Sequence, residues 1–145
     1  MEIHTIGFTQ KSASRFFGLL REAGVRRLVD VRLNNVSQLA GFAKRDDLAF
    51  FLAEICDAEY VHEPLLAPTD DLLGAYRKRT IGWVEYEQGF LQLMDDRRIA
   101  DRISPSLFDR PTVLLCSEPT ADQCHRRLVA EYLDRAWDGV SIHHL

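Results

Sequence analysis

Cysteine is scarce in this sequence, with three in 145 residues, an odd number whose spacing matches no disulfide framework. No secretory leader opens the chain, so a reducing, cytoplasmic setting is expected. No apolar run approaches the roughly 20 residues of a membrane span, and no membrane contact is expected. There is no C-x-x-C pair, no glycine-rich phosphate loop and no dinucleotide fingerprint. A phosphatase-type cradle would need arginine at the sixth position after Cys116, and Asp122 stands there. An excess of positive charge is missing as well: 18 Lys and Arg face 22 Asp and Glu, a formal −4. The broad field that gathers polyanions is therefore absent, although a local basic site is compatible with it. Repeats, low-complexity tracts and Gly/Ser linkers are lacking too.

What is present is the composition of one domain over 1–145, 46% hydrophobic and 28% charged. A chain of this length can bury roughly 68–70% of its unfolded surface without staples. Strand and helix patterns alternate along it. Glu2–Phe8 reads as a strand, Ser12–Ala23 as a helix stopped by Gly24, and Arg27–Leu33 as a buried strand. A polar loop over Asn34–Lys44 precedes a helix capped by Asp46 or Asp47 and running to Asp57, with Leu48, Phe51, Leu52 and Ile55 inward. Tyr60–Pro64 is a third strand. The least regular stretch, Leu65–Thr80, holds a short helix over Asp70–Arg77, and a long helix covers Trp83–Ile103. Pro111–Glu118 is the strongest strand, Thr120–Trp137 the strongest helix, and Val140–Leu145 the closing strand. The expected fold is α/β, a three-layer domain with a five-stranded, mostly parallel sheet and helices on both faces.

In such sheets the ligand crevice lies outside the carboxyl ends of the strands. Gly7, Phe8 and Thr9, Asp30 and Arg32, His62 and Glu63, Cys116 and Glu118, and His143 and His144 stand at or just past those ends. The spacing of Thr120 and Gln123 predicts a capping box that starts the last helix at Thr120 and offers its N–H groups to an anion. On the wheel set by Leu128, Val129, Tyr132, Leu133 and Ala136, His125 falls inside the buried stripe. Cys124 and Arg126 fall at its edges, and Arg127 points to solvent. His125 or Glu118 could move a proton. Cys116 is the weaker nucleophile, because Glu118 and Asp122 in the same loop oppose a lowered thiol pKa. Arg32 and Arg126 could hold a phosphate or carboxylate. The structural alternatives pair Arg32 with Glu63 or Glu118, and Arg126 with Asp30. Cys56 is expected in the core. A metal held by Cys116, Cys124 and His125, with His62 as fourth ligand, lacks the usual spacing, and no metal is assigned.

Thr5–Thr9, Leu28–Arg32, Tyr60–His62, and Leu114–Glu118 followed by Cys124-His-Arg126 and Leu128–Glu131 resemble the domain of unknown function 488 family. The likeness extends to Trp83 and Tyr86 and to the closing His-Leu. It implies that Thr5, Gly7, Asp30, Arg32, His62, Cys116, Glu118, Cys124, His125 and Arg126 form a shared site. Where the family often carries Pro and Ser-Arg, this chain has Asn35 and Ser37-Gln38, so a basic contact is missing. Phe42 and Lys44 match the family's aromatic and lysine there. The leading expectation is a small cytoplasmic enzyme binding a phosphate- or nucleotide-like anion at the carboxyl edge. The alternatives are a nucleic-acid-binding module working through the Arg32–Lys44 loop, and a metal or redox protein using Cys116, Cys124 and His125. Trp83 and Phe90 would mark a dimer surface if exposed. Cofactor, reaction class and oligomeric state do not follow from the sequence.

Overall fold

In the computed structural model, which describes residues 1–36, 40–118 and 120–145, five strands form one sheet in the order β3-β2-β4-β1-β5. They are β1 (Glu2–Gly7), β2 (Arg27–Asp30), β3 (Glu59–His62), β4 (Thr112–Cys116) and β5 (Ser141–His144). Each pairing among the described residues is parallel, which sharpens "mostly parallel" to wholly parallel. Alternate residues of the inner strands β1, β2 and β4 enter opposite cores, as the two-residue period requires. Leu28, Val113 and Leu115 meet Phe16, Phe17 and Leu20 of α1 (Ala13–Glu22) and Leu48 of α2 (Arg45–Phe51). Val29 and Leu114 meet Tyr86, Phe90 and Met94 of α4 (Trp83–Asp96) and Leu128, Val129 and Leu133 of α6 (His125–Ala136). Two short helices, α3 (Asp70–Arg77) and α5 (Ile99–Arg102), flank α4. No helix among the described residues is long and apolar enough to cross a membrane.

Register brings the strand ends together. Gly7 lies opposite Cys116 and Asp30 opposite Leu115, so β1, β2 and β4 finish at nearly one level. After β2 the chain leads to β3, and after β4 to β5 on the other side of the sheet. A crevice opens where neighbouring connections diverge in this way.

Several boundaries differ from the sequence reading. The strand β2 stops at Asp30 rather than Leu33, because the Asp30 carboxylate takes the backbone N–H of Arg32 at 3.0 Å and turns the chain off the ladder. The second helix begins at Arg45, ahead of Asp46 and Asp47, with Lys44 as its cap. Wider turns over Leu52–Cys56 then shift its phase, so Cys56 is buried while Ile55 is 39% exposed. The pattern over Trp83–Ile103 breaks at Arg98, which adopts the left-handed conformation with φ 56°. There the Arg97 guanidinium donates to the Leu65 and Ala67 carbonyls at 2.7 and 2.6 Å, anchoring the end of α4. Phe90 is wholly buried and so is no dimer surface. The last helix starts at His125 with Cys124 as its cap, not at Thr120, and no capping box forms. Gln123 instead accepts the Tyr76 hydroxyl at 3.2 Å. Ser37 and Gln38 lie outside the described residues.

Candidate functional site

The loop after β4 is seated by backbone contact. Thr9 N–H donates to the Ser117 carbonyl at 3.1 Å, and Glu118 crosses directly over Gly7. A methyl group on Gly7 would overlap the Glu118 carbonyl oxygen and lie 2.5 Å from Arg126 Nη1. Glycine is needed there for close approach.

Arg126, expected near an edge of the buried stripe, is 1% exposed. Its Nη1 donates to the Glu118 carbonyl at 2.5 Å and lies 3.9 Å from Cys124 Sγ, while its Nε donates to Thr5 Oγ1 at 3.3 Å. Thr5 Oγ1 also meets His144 Nδ1 at 2.6 Å, and burial followed by the Arg126 charge lowers the His144 pKa. Arg126 therefore ties β1, the loop after β4 and the start of α6 into one post. Among the described residues no carboxylate pairs with it, so the predicted Asp30 partner is not the one used.

The cap position of Cys124 sets His125 in the first turn of α6, facing the end of β4 as the helical wheel indicates. Cys116 Sγ lies 3.5 Å from His125 Nδ1, and His125 Nε2 lies 2.6 Å from the Val31 carbonyl. A carbonyl only accepts, so Nε2 carries the proton and Nδ1 faces sulfur. Burial alone would raise the Cys116 thiol. The hydrogen bond with Cys124, the charge and hydrogen bond of His125 and the Glu118 backbone outweigh it and hold Cys116 well below the ordinary thiol range. Burial would lower His125, but the Cys116 charge and hydrogen bond and the Val31 carbonyl raise it. Cys124 is pushed up by burial and by its thiolate neighbour. Both shifts run toward a thiolate on Cys116 paired with a protonated His125, the opposite direction to the one that Glu118 and Asp122 would impose. Glu118 and Asp122 are close in sequence, yet both are exposed, and neither carboxylate is among the groups that shift the sulfur.

Arg32, 3% exposed, is gripped by wholly buried Asp30, with Nε to Oδ1 at 2.9 Å and Nη2 to Oδ2 at 2.8 Å. This replaces the predicted pairing with Glu63 or Glu118. The Tyr60 hydroxyl donates to Asp30 Oδ2 at 2.5 Å and receives Asn35 Nδ2 at 3.0 Å. His62 Nε2 lies 3.2 Å from the Arg32 carbonyl, and the Arg32 guanidinium stands 5.4 Å from the centre of the Phe8 ring. Arg32 Nη1 is buried with no hydrogen-bond partner among the described residues. Leaving a buried donor of a charged group unmet costs more than the roughly 1–3 kcal/mol of a neutral one.

A cavity of about 200 Å³ separates the two halves, lined by Arg32, Leu33 and Asn34 after β2, Cys116–Glu118 after β4, and Gln123–His125. Leu73, Tyr76, Arg77 and Tyr86 complete it. The sequence reading missed Tyr76, Arg77 and Gln123. The signal for Tyr76 was its aromatic spacing with Trp83 and Tyr86, which form one ring cluster with centroids 4.8–5.8 Å apart; Arg77 and Gln123 carried none. Thr5, Gly7, Asp30, His62 and Arg126 support the cavity without lining it. His143 stacks on His4 at 5.1 Å instead, and Phe42 packs on Phe16 at 5.3 Å. Arg127, expected in solvent, is partly covered beside Trp83 and pairs with Glu131 at 3.3 Å. Cys116 Sγ, Cys124 Sγ and His125 Nδ1 or Nε2 form a group of metal-capable atoms all within 4.8 Å of one another, and His62 does not join it.

The model of the family described as Domain of unknown function DUF488 matches residues 12–133. The chain belongs to this family. The match takes in Asp30, Arg32, His62, Cys116, Glu118, Cys124, His125 and Arg126, while Thr5, Gly7 and the closing His-Leu lie outside it. The chain matches no curated protein and no solved structure. Membership in this family carries no reaction with it, so function has to be argued from the site.

Proposed function

We propose that the protein is an enzyme that binds a small anionic molecule, phosphate- or nucleotide-like, in the cavity at the carboxyl edge of the sheet, with Cys116 and His125 as its reactive end. The observation that carries this reading is Arg32. Asp30 fixes two of its nitrogens, and the third, Nη1, is buried without a partner in a side chain that lines the cavity. A guanidinium held in this way is pre-organised for a carboxylate or phosphate oxygen, at no further cost in side-chain entropy. The cavity is small beside the roughly 300–1,000 Å³ of drug-sized pockets, which suits a phosphate group with a modest substituent. Tyr76 and Tyr86, whose rings are tilted by 35° at 4.8 Å, supply an aromatic wall against which a ring could pack. Arg126, with Nε and Nη1 engaged by the protein, shapes the site and does not grip the ligand.

Calorimetric titration with inorganic phosphate and with nucleoside monophosphates tests the reading, using the intact chain and Arg32→Lys, which keeps the charge opposite Asp30 and loses the fork. Binding to the unaltered protein, weakened at least about tenfold in the variant, is expected; tenfold corresponds to about 1.4 kcal/mol. Absence of binding, or equal binding by both proteins, refutes it.

A further inference from the structure

We propose that Cys116 Sγ, Cys124 Sγ and His125 Nδ1 form a zinc site whose fourth position opens into the cavity. The inference rests on the reading of that cavity as an anion pocket and names the group that would do its chemistry.

Distance supports the site first. With Zn–S near 2.3 Å, Zn–N near 2.0–2.1 Å and tetrahedral angles, a sulfur and a nitrogen bound to one ion stand about 3.5 Å apart and two sulfurs about 3.8 Å. Cys116 Sγ and His125 Nδ1 are 3.5 Å apart, already at that edge. All three donors lie within 4.8 Å of one another, so a small rotation of Cys124 completes the set. Two thiolates and an imidazole in tetrahedral array suit zinc above harder ions.

The surroundings match a metal site as well. A ligating histidine usually donates its other N–H to a carbonyl or carboxylate that fixes the ring, and His125 Nε2 does so to Val31 at 2.6 Å. Arg126 Nη1, 3.9 Å from Cys124 Sγ, supplies positive charge beside a ligand sulfur, which a buried guanidinium lacking a carboxylate partner among the described residues would need in return. Binding sends to solvent any proton still held on the two sulfurs or on Nδ1, as thiolate and imidazole ligation requires.

The fourth position decides the kind of site. A closed structural site would have a fourth protein ligand, but His62 turns its Nε2 to the Arg32 carbonyl at 3.2 Å. All three donors line the cavity, the arrangement of three protein ligands and an open place that catalytic zinc uses. One divalent ion, two thiolates and Arg126 sum to +1, while Arg32 and Asp30 cancel. The open position therefore favours an anion.

The test loads metal-stripped full-length protein with Co2+ alone. One equivalent should give the near-ultraviolet sulfur-to-cobalt absorption and the visible bands of tetrahedral cobalt, bleached by one equivalent of Zn2+. Cys124→Ser, which removes one of the two ligand sulfurs, should lose about half of the sulfur-to-cobalt intensity. A featureless or octahedral spectrum in the unaltered protein overturns the proposal whether or not the variant folds, and so does an unchanged spectrum in folded Cys124→Ser. Added inorganic phosphate should shift the visible bands. Cobalt bands with no phosphate binding by calorimetry would leave the metal site standing and refute the anion pocket. Phosphate heat without cobalt bands would do the reverse.

Discussion

Replacing Gly7 with alanine should damage the site without adding or removing any charge. The new methyl would occupy the space of the Glu118 carbonyl oxygen and reach within 2.5 Å of Arg126 Nη1. Neither obstacle is the loose end of an exposed chain: one is backbone and the other a guanidinium that is 1% exposed. Relief requires the loop after β4 to lift, which stretches the Thr9-to-Ser117 bond of 3.1 Å and the Arg126-to-Glu118 bond of 2.5 Å. Overpacking costs about 1–3 kcal/mol. A neutral hydrogen bond contributes about 0.5–1.5 kcal/mol and one from a charged donor about 1.5–3 kcal/mol. With partial loss of each, a destabilisation of about 3 kcal/mol is expected. In urea, where small proteins lose roughly 1–3 kcal/mol per molar, the unfolding midpoint should fall by about 1–3 M. Gly18 is the control. It lies within α1, and a methyl group placed on it would have no neighbour within 4 Å, so Gly18→Ala should stabilise by about 0.5–1 kcal/mol through helix propensity and chain entropy. Phosphate binding should fail in Gly7→Ala and persist in Gly18→Ala. An unchanged midpoint and intact binding in Gly7→Ala would refute the account of how the loop is seated.

Two other expectations follow from the same contacts. The Tyr60 phenol is pushed upward by burial and then by its hydrogen bond to the Asp30 carboxylate. An acid raised in this way favours its protonated form in the folded state, so its contribution is complete below the unfolded value of about 10 and is lost as pH rises past it. Urea stability measured from neutral to strongly alkaline pH should therefore fall at the alkaline end less in Tyr60→Phe than in the unaltered protein, and parallel curves would refute the coupling. The second concerns nucleic acid. Arg32 and Arg126 are buried, so neither is presented where an extended phosphate backbone could run along it, and single-stranded DNA and RNA should show no steeply salt-dependent binding in a fluorescence titration. A steep salt slope would favour the nucleic-acid module instead.

The sheet was legible because β-branched and apolar runs with glycine or proline at their ends leave few other solutions, and α1 and α3 matched their spacing within a residue. The burial of His125 followed from helical phase alone. What the sequence hid was tertiary. Thr120 and Gln123 have the spacing of a capping box, yet the Tyr76 hydroxyl claims Gln123 and the helix starts at His125. No glycine or proline marks the break at Arg98, because the anchor is Arg97 reaching carbonyls 30 and 32 positions back in the chain. The surroundings of Cys116 were hidden for a related reason. Along the chain its charged neighbours are Glu118 and Asp122, but through space the sulfur meets Cys124 and, at 3.5 Å, His125. Arg32 took its nearest carboxylate in sequence, Asp30, and the two-residue separation puts both on the same turn out of β2.

Crystals soaked in selenate or tungstate offer the most direct test, because anomalous scattering locates the anion from its own signal. The account predicts a peak inside the cavity, about 3 Å from Arg32 Nη1, on the side that faces Cys116 and His125. Peaks confined to exposed arginines, with Arg32 Nη1 bonded to a protein group, would contradict it.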